Sequence, residues 1–404
     1  MSPEPSARDS RPKVLMLATR VPAEPGDGTP SFVIDGAMAL ADRFDTTVLA
    51  PRMRTADGSS LHSGVRVERY AYLPRRWERI ADTAIMPQLS RRPSLWLQAA
   101  ALTAMMLIHA LRLHRRISPS LVHAHWILPS GLVALILRML TGAPYVVTSH
   151  GADAFRLETG PSRLLKRAVL RRASAVIAVS GEIAEKLSDL RSDVHVQPVG
   201  VDFAAWSPVA QERAPEQGRV LFVGRLSEKK GVESLIRGIE GVAGASLRIA
   251  GEGEQEAELR RLVADEGLSA RVEFLGRLSR TALAEELRVA MCVAIPSVTA
   301  ADGDRDGTPT VLGEAAAAGV PVIASRLGGL QEGIVEGSTG LLHVPGDVDG
   351  LRACIERMMT DEHLGRVLAQ NAHEHLRGLL DAPVVADRHA DWYRSAIASR
   401  AAGR

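Results

Sequence analysis

Short apolar runs alternate with stretches of helical spacing along the first half of the chain. The run Lys13–Ala18 is bounded by turn residues and predicts a buried strand, and the spacing of Phe32–Phe44 predicts a helix after it. Further strands are predicted at residues 46–50, 65–72, 121–125, 144–149, 175–179 and 194–199, and helices at 94–113, 131–140 and 181–190. Strands that alternate with helices are typical of a parallel sheet.

The apolar periodicity lapses between Phe203 and Arg219, where Pro, Gln and Glu collect, and this lapse predicts a domain boundary. The alternation then restarts, with strands at 220–223, 247–250, 272–275, 292–295, 320–324 and 341–344 and helices at 231–240, 254–266, 280–288, 309–318 and 349–359. We therefore predict an α/β protein of two Rossmann-like domains, 1–202 and 203–383, with parallel sheets facing across a cleft. A last helix is expected to bring residues 384–404 back onto the first domain.

Composition narrows the class of protein. The chain has 404 residues, of which 46% are apolar and 24% charged, as in ordinary globular proteins. The net charge of +2 gives no overall signal for nucleic acid, and we expect no nucleic-acid partner. Cys/His metal spacing is absent, so no metal site is expected. The two cysteines lie in apolar or helical surroundings and the first dozen residues do not resemble a signal peptide, which favours a cytoplasmic location.

Arginines crowd one region of the first domain. They are Arg75, Arg76, Arg79, Arg91, Arg92, Arg112, Arg115 and Arg116. Such a cluster predicts a local anionic partner. The apolar stretch Ser94–Leu113 is interrupted by Gln98 and Arg112, so a core helix is favoured over a membrane span. The alternative is a peripheral contact of this Arg- and Trp-bearing region with the anionic inner membrane face.

Polar residues follow the predicted strands of the first domain. Gly28 lies in the loop 22–30 after the first strand, where a glycine lets the backbone approach a ligand closely. His150 follows the strand at 144–149, and the carboxyl ends of parallel strands are where open α/β sheets place ligands. His123 is expected to pack in the core, whereas the role of His125, nearer the strand end, stays open.

A basic segment, Gly224–Gly231, follows the first strand of the second domain. Arg225 and Lys230 are five residues apart, flanked by glycines and close to a helix start, which suits a diphosphate. The order of residues is not that of a Walker loop. We expect Glu228 and Lys229 to be solvated.

An acidic pair brackets a loop that turns into a helix near residue 309. Thr308 is a candidate N-cap and Pro309 suits the first helical position. The start of a helix attracts phosphate, so Asp306 before it and Glu314 within it are expected to serve hydroxyl groups of a sugar or ribose.

These motifs together resemble family 4 glycosyltransferases of the GT-B fold. The motifs are Gly224-Arg225-Leu226 with Lys230-Gly231, Gly251-Glu252-Gly253, Phe274-Leu275-Gly276, Pro296-Ser297, Asp306 with Glu314 eight positions later, Gly328-Gly329 with Glu332, and Thr339–Leu342. The resemblance covers nearly the whole second domain. In the first domain it is limited to the glycine loop, His150-Gly151 and the order of strands and helices.

The resemblance implies a retaining, metal-independent transfer of a sugar from a nucleotide diphosphate sugar to a glycan or lipid-linked acceptor, with no cofactor. Arg225 and Lys230 would neutralise the diphosphate, and Glu314 would hold ribose hydroxyls. Asp306 stands where the family usually has Glu and would contact the transferred sugar, unless Asp302 or Asp304 reaches it instead. His150 would line the donor sugar near the reacting carbon. The remaining donor contacts implied are Gly28, Gly224, Arg277, Leu278, Thr310, Val311 and Leu312.

Two other functions are compatible with the same residues. A sugar-nucleotide 2-epimerase of this fold would alter the donor without an acceptor. A catalytically silent subunit would hold a nucleotide sugar or glycan, and the Asp at position 306 is its best support. The base and sugar of the donor and the acceptor are not readable from these residues.

Overall fold

The structure is a computed structural model that describes residues 11–23, 31–53, 58–62, 64–81, 85, 88–89, 92, 94–156 and 160–402. It divides into two compact units. The first takes the described residues up to Val179, residues 183–197 and the chain from Ala386 onward. The second takes residues 180–182 and 198–385.

The first unit is built on an eight-stranded sheet. Its strands are β1 (Lys13–Leu17), β2 (Asp45–Pro51), β3 (Ser60–His62), β4 (Val65–Tyr70), β5 (Leu121–His125), β6 (Tyr145–Ser149), β7 (Ala175–Ala178) and β8 (Val194–Val196). The order across the sheet is β3-β4-β2-β1-β5-β6-β7-β8, and every pair is parallel except β3 with β4. The central strands are continuous apolar runs because helices cover both faces of such a sheet.

The helices of the first half of the chain are α1 (Phe32–Ala39), α2 (Leu95–Ile117), α3 (Leu132–Thr141), α4 (Ala152–Phe155), α5 (Gly160–Arg172) and α6 (Gly181–Leu187). The last helix, α15 (Ala382–Ala402), places Ala390 and Tyr393 in the same core cluster as Val14 of β1. By length and composition, α2 is the one helix among the described residues that could cross a membrane. In the structure it buries Leu102 and Met106 and packs against α3 and β2.

The second unit has a six-stranded, fully parallel sheet. Its strands are β9 (Arg219–Val223), β10 (Ser246–Ala250), β11 (Val272–Gly276), β12 (Cys292–Ile295), β13 (Val322–Ser325) and β14 (Leu341–His343), in the order β11-β10-β9-β12-β13-β14. Its helices are α7 (Phe203–Gln211), α8 (Val232–Glu240), α9 (Glu256–Asp265), α10 (Arg280–Val289), α11 (Thr310–Ala317), α12 (Gly328–Gly333), α13 (Val348–Thr360) and α14 (Glu362–Leu380). Two apolar clusters fill the layers on the two faces of this sheet.

Residues 203–211, at the predicted domain boundary, form α7, because the Asp202 carboxylate accepts a hydrogen bond from Ala205 N at 3.1 Å and caps the helix. The structure corrects two predictions about the start of α11. The helix near residue 309 begins at Thr310 rather than Pro309. Pro309 occupies the N-cap position with extended backbone, and no side-chain cap is made there, so Thr308 is not the N-cap.

Candidate functional site

The residues predicted to bind the donor follow three of four neighbouring strands of the second sheet. Gly224 and Arg225 follow β9, Arg277 follows β11, and Asp306 lies in the long loop between β12 and α11. Strands β11, β10, β9 and β12 are adjacent and parallel, so their carboxyl ends meet at one edge of the sheet. The edge therefore brings together segments that are up to about 80 residues apart in the chain.

Glycines allow these loops to touch through their backbones. Gly231 has φ +63°, and a Cβ there would lie 1.9 Å from the carbonyl oxygen of Pro296. Gly251 has φ +145°, and a Cβ there would lie 1.8 Å from the carbonyl oxygen of Gly224. Val298 N donates to Lys229 O at 2.9 Å, which ties the loop after β9 to the loop after β12. Both glycines are needed, because a side chain at Gly231 would push it away from Pro296 and a side chain at Gly251 would push it away from Gly224.

Lys230 and Asp306 meet at this edge. The Lys230 Nζ lies 2.8 Å from Asp306 Oδ2, and Ser297 Oγ donates to the same oxygen at 2.9 Å. Asp306 is 8% exposed. Burial by itself would raise the pKa of the Asp306 carboxyl, but the charges of Lys230 and Lys229, with the hydrogen bonds from Lys230 and Ser297, hold that pKa below its usual value. The carboxylate is therefore ionised and paired with a cation predicted to bind phosphate.

The expectation of a solvated side chain holds for Glu228, which is exposed, but is wrong for Lys229, which is 25% exposed and ion-paired. Lys229 Nζ lies 3.4 Å from Asp304 Oδ2 and 3.5 Å from Asp306 Oδ1, and it donates to the carbonyl of Arg305 at 3.3 Å. Glu228 accepts a hydrogen bond from Ala301 N at 2.8 Å. Both side chains hold the loop 300–306 against the turn that carries Lys230. These contacts join residues about 75 positions apart, so no local pattern in the sequence signals them.

Asp302 and Asp304 differ in their surroundings. Asp304 is 7% exposed, whereas Asp302 is exposed and accepts a hydrogen bond from Asp304 N at 3.0 Å. Asp304 lies beside Lys229, so the carboxylates of Asp304 and Asp306 and the ammonium groups of Lys229 and Lys230 form one cluster of ion pairs between the two loops. Of the three aspartates considered for the sugar-contacting role, Asp306 is the one in contact with Lys230.

The other predicted donor residues occupy the same edge or the core beneath it. Arg225 pairs with Glu254 at 2.9 Å and Arg277 with Glu252 at 3.0 Å. Glu314 is half-buried in α11. Thr310 opens α11, whereas Val311 and Leu312 are buried in an apolar cluster of the second unit, which makes their side chains part of its core. Leu278 packs against that cluster, and Gly224 N donates to Ala250 O at 2.9 Å.

A second polar group lies at the carboxyl ends of β5 and β6 in the first unit. His150 Nε2 lies 3.0 Å from His125 Nδ1, and the His150 ring lies 4.7 Å from that of Phe32 and 5.0 Å from that of Trp126. The Asp153 carboxylate fixes the loop by accepting hydrogen bonds from His150 N at 3.1 Å and from the Ser149 hydroxyl at 3.0 Å. Burial, and to a lesser extent the charge of His389, lowers the pKa of His150 to about 3. The ring is therefore neutral at physiological pH.

His123 is a core residue, as expected from its place in the strand. It is 1% exposed, with Nδ1 at 2.6 Å from the Tyr393 hydroxyl and Nε2 at 2.8 Å from the Thr148 hydroxyl. His125, whose role the sequence left open, is 8% exposed and uses Nδ1 for His150. Its Nε2 is buried without a hydrogen-bond partner among the described residues. His125 is thus a neighbour of the candidate site that the sequence alone did not assign.

The buried histidines predict a loss of stability in acid. Burial, first, and neighbouring histidines lower the pKa values of His123 and His125 well below 6.5. As the pH falls below about 6.5, the unfolded chain takes up protons that the folded chain cannot, so the free energy of unfolding falls by about 1.4 kcal/mol per pH unit for each such group. We expect a lower midpoint of thermal unfolding at pH 5.5 than at pH 7.5, and His123→Gln should reduce that difference.

The exposed His195 provides the matched control. His195→Gln should leave the difference between the two melting midpoints unchanged. An equal pH dependence in wild type and His123→Gln would contradict the assignment to the buried histidine.

The residues predicted to bind the donor are divided between the two units. Arg225, Lys230, Asp306 and Arg277 lie on the loop edge of the second sheet, and Glu314 on the helix that follows it. His150 belongs to the first unit. Gly28 lies outside the described residues.

Comparison with known proteins agrees with this architecture. The family profile described as "Glycosyl transferases group 1" matches residues 207–375, and that described as "Glycosyl transferase 4-like domain" matches residues 34–200. Glycogen synthase of Mycobacterium tuberculosis is 30% identical over 294 residues, which cover 69% of each chain. D-inositol 3-phosphate glycosyltransferase of Pseudarthrobacter chlorophenolicus is 32% identical over 289 residues, 62% of this chain and 66% of the relative.

Solved structures share the two-unit α/β fold. Sucrose-phosphate synthase from Thermosynechococcus elongatus superposes with a TM-score of 0.77 at 23% identity, covering 96% of this chain and all 100% of that one. HepE of Anabaena in complex with UDP-glucose gives 0.72 at 22% identity, covering 95% and 100%. The fold and the matched profiles define a glycosyltransferase of the GT-B type, a class that uses nucleotide-sugar donors. The chain belongs to the group 1 glycosyl transferases, the family 4 enzymes that its motifs resemble.

Proposed function

We propose that the protein is a retaining glycosyltransferase that moves a sugar from a nucleotide diphosphate sugar to a glycan or lipid-linked acceptor without a metal ion. The contact of Lys230 with the buried Asp306, at an edge where four parallel strands end, carries the proposal. A cation for the diphosphate and an acid for the sugar hydroxyls are thereby placed side by side. The HepE structures with UDP and UDP-glucose support a nucleotide-sugar donor.

The roles of the residues follow from their charges. Lys230, with Arg225, offsets the negative charge that develops on the diphosphate as it leaves, and fixed charges of this kind stabilise a transition state without reorganising. Asp306 accepts hydrogen bonds from hydroxyls of the transferred sugar, and Glu314 from the ribose. His150 donates or accepts one hydrogen bond as a neutral ring, because its pKa is lowered to about 3. The role of Gly28 stays a prediction.

The proposed step breaks the bond from the anomeric carbon to the β-phosphate oxygen. The acceptor oxygen attacks from the same face and forms the new glycosidic bond, and the acceptor's proton goes to the departing phosphate. No covalent intermediate with the protein is required. The configuration at the anomeric carbon is then retained.

Metal independence is supported by the pairing of the carboxylates. Asp304 and Asp306 are in contact with Lys229 and Lys230, which already balance their charges. A divalent ion at these carboxylates would have to displace the ammonium groups. We expect initial transfer rates to be equal in EDTA and in millimolar magnesium, and a tenfold loss in EDTA would contradict this part of the proposal.

A donor screen tests the proposal as a whole. The melting midpoint is measured with UDP-, GDP- and ADP-sugars, because a ligand that binds the folded state raises it. The donor that gives the largest shift is then incubated with and without an acceptor panel, and the products are analysed by NMR. Transfer with an unchanged anomeric configuration is expected. A donor altered without any acceptor would indicate a 2-epimerase, and binding without turnover a silent subunit.

The first unit supports a proposal about the acceptor and the place of action. We propose that the enzyme works in the cytoplasm at the inner membrane face, on a lipid-linked acceptor or a growing glycan. The support is the group of arginines near α2, of which Arg112 and Arg115 are exposed. Arg91 lies outside the described residues.

A further inference from the structure

We propose that helices α2, α3 and α5 of the first unit form a docking surface for an anionic lipid bilayer. The proposal rests on the function and location just given, and it adds which surface meets the membrane. We call this surface the arginine face. Its exposed apolar members are Trp96, Leu97, Met139, Leu140, Leu164 and Leu165. Its exposed basic members are Arg112, Arg115, Arg138, Arg167, Arg171 and Arg172.

The three helices lie side by side and point the same way. Helix α2 packs against α3, and α3 against α5. Each helix leads into the next of three adjacent parallel strands, β5, β6 and β7, so the helices run in one direction and end at one edge of the unit. Arg138 in α3 donates to Ser174 Oγ, just beyond α5, at 3.4 Å, and Arg400 lies 3.5 Å from the carbonyl of Thr141. The basic last turns are thus neighbours in space.

The charge of the arginine face has one sign. Helices α2, α3 and α5 contain eight arginines and one lysine, and none of the three contains Asp or Glu. The lysine, Lys166, is buried and bonded to backbone carbonyls. Arg116 is paired with Glu68 and Arg163 with Asp189. The six arginines named above make no ion pair among the residues that the structure describes.

Arginines in a last helical turn also complement the helix dipole, which is an ordinary structural role. That role does not account for the large apolar side chains that the same three helices expose. Leu97 is 79% exposed, Met139 69% and Leu164 67%. Clustered apolar side chains at a surface mark an interaction site rather than ordinary solvent contact.

A bilayer surface matches both properties at once. Arginines contact anionic headgroups, and apolar side chains enter the boundary between headgroups and acyl chains. The phosphates of a nucleic acid would contact the arginines, but a nucleic acid would offer no apolar environment to Leu164 and Leu165. Helix α2 lies along this surface rather than crossing the bilayer, because Leu102, Met106 and Leu113 are buried in the first unit.

Sedimentation of the full-length protein with liposomes tests the arginine face. We expect binding to vesicles that contain phosphatidylglycerol, weaker binding at high salt, and no binding to pure phosphatidylcholine. Arg167→Glu/Arg171→Glu/Arg172→Glu should lower the partition coefficient at least about 100-fold, because each basic side chain contributes about fivefold. The control Arg261→Glu/Arg357→Glu/Arg366→Glu makes the same charge change on exposed helices of the second unit and should bind as wild type does.

A second variant separates lipid from other polyanions. Leu164→Ser/Leu165→Ser leaves the charge unchanged and should weaken vesicle binding, but not binding to heparin or single-stranded DNA. The proposal is overturned if wild type ignores anionic vesicles, if the triple reversal binds them normally, or if the leucine variant binds them as wild type does.

The result is separable from the proposed function. Both arginine-face variants should keep the wild-type melting shift with the donor sugar nucleotide and wild-type transfer to a soluble acceptor. Vesicle binding without any transferase activity in wild type would remove the proposed function and leave the docking surface. Transferase activity without vesicle binding would remove the docking surface and leave the proposed function.

Discussion

Lys230→Ala is expected to lower the turnover number by about a thousandfold while leaving the protein folded. The reason is that the Lys230 ammonium faces the developing charge on the leaving diphosphate, and loss of one such preorganised group costs about 10² to 10³ in rate. The fold should tolerate the change because Asp306 still has Lys229 at 3.5 Å and the Ser297 hydroxyl at 2.9 Å. Initial rates at saturating donor, with the melting midpoint alongside, measure both effects.

Lys229→Ala is the matched comparison. It removes the same ammonium group one residue away, but that group contacts Asp304, Asp306 and a backbone carbonyl, and we assign it no contact with the diphosphate. Its turnover should fall less than about tenfold, and its melting midpoint more than that of Lys230→Ala. Wild-type turnover in Lys230→Ala would remove the diphosphate assignment.

Asp306→Asn is expected to separate binding of the nucleotide from binding of the sugar. The substitution keeps the shape of the side chain and removes its charge. We expect kcat/KM for the nucleotide sugar to fall about 100-fold, because a hydrogen bond to a charged group contributes roughly 1.5–3 kcal/mol. The affinity for the free nucleoside diphosphate should be unchanged or higher, because Lys230 is no longer paired at 2.8 Å with a carboxylate.

Isothermal titration with the diphosphate and steady-state kinetics with the sugar nucleotide measure the two quantities. Asp302→Asn is the control, because Asp302 is exposed and accepts a hydrogen bond from Asp304 N. If Asp306→Asn weakened the diphosphate and the sugar nucleotide equally, the carboxylate would be a structural support of the loop and not a sugar contact.

The sheets were predictable because their strands are apolar runs between turns. Residues 121–125, 220–223 and 292–295 were all predicted as strands and lie within or coincide with β5, β9 and β12. Helices α5 and α14 were not predicted, since the first begins Gly160-Pro161 and both carry many charged or polar residues. Asp202 is a typical N-cap residue and could have predicted the start of α7, but Pro208 inside that helix argues against a helical prediction.

The sequence indicated which residues of the second unit carry the candidate chemistry, but not which of their side chains contact each other. Motif spacing placed Arg225, Lys230 and Asp306 after strands that turned out to be neighbours. It did not indicate that Lys229 belongs to the cluster, because that depends on the path of the loop 296–309. The hydrogen bond between His125 and His150 likewise depends on the pairing of β5 with β6.

The pairing of Lys230 with Asp306 has a consequence for selectivity among anions. In the donor-free enzyme the ammonium group already has an internal counter-ion, so any solute anion must compete with it. Inorganic phosphate, which would gain little beyond that one cation, should be a poor inhibitor. A nucleoside diphosphate can also engage Arg225, which precedes Lys230 in the same loop after β9, and only such a ligand is expected to displace the aspartate from its lysine.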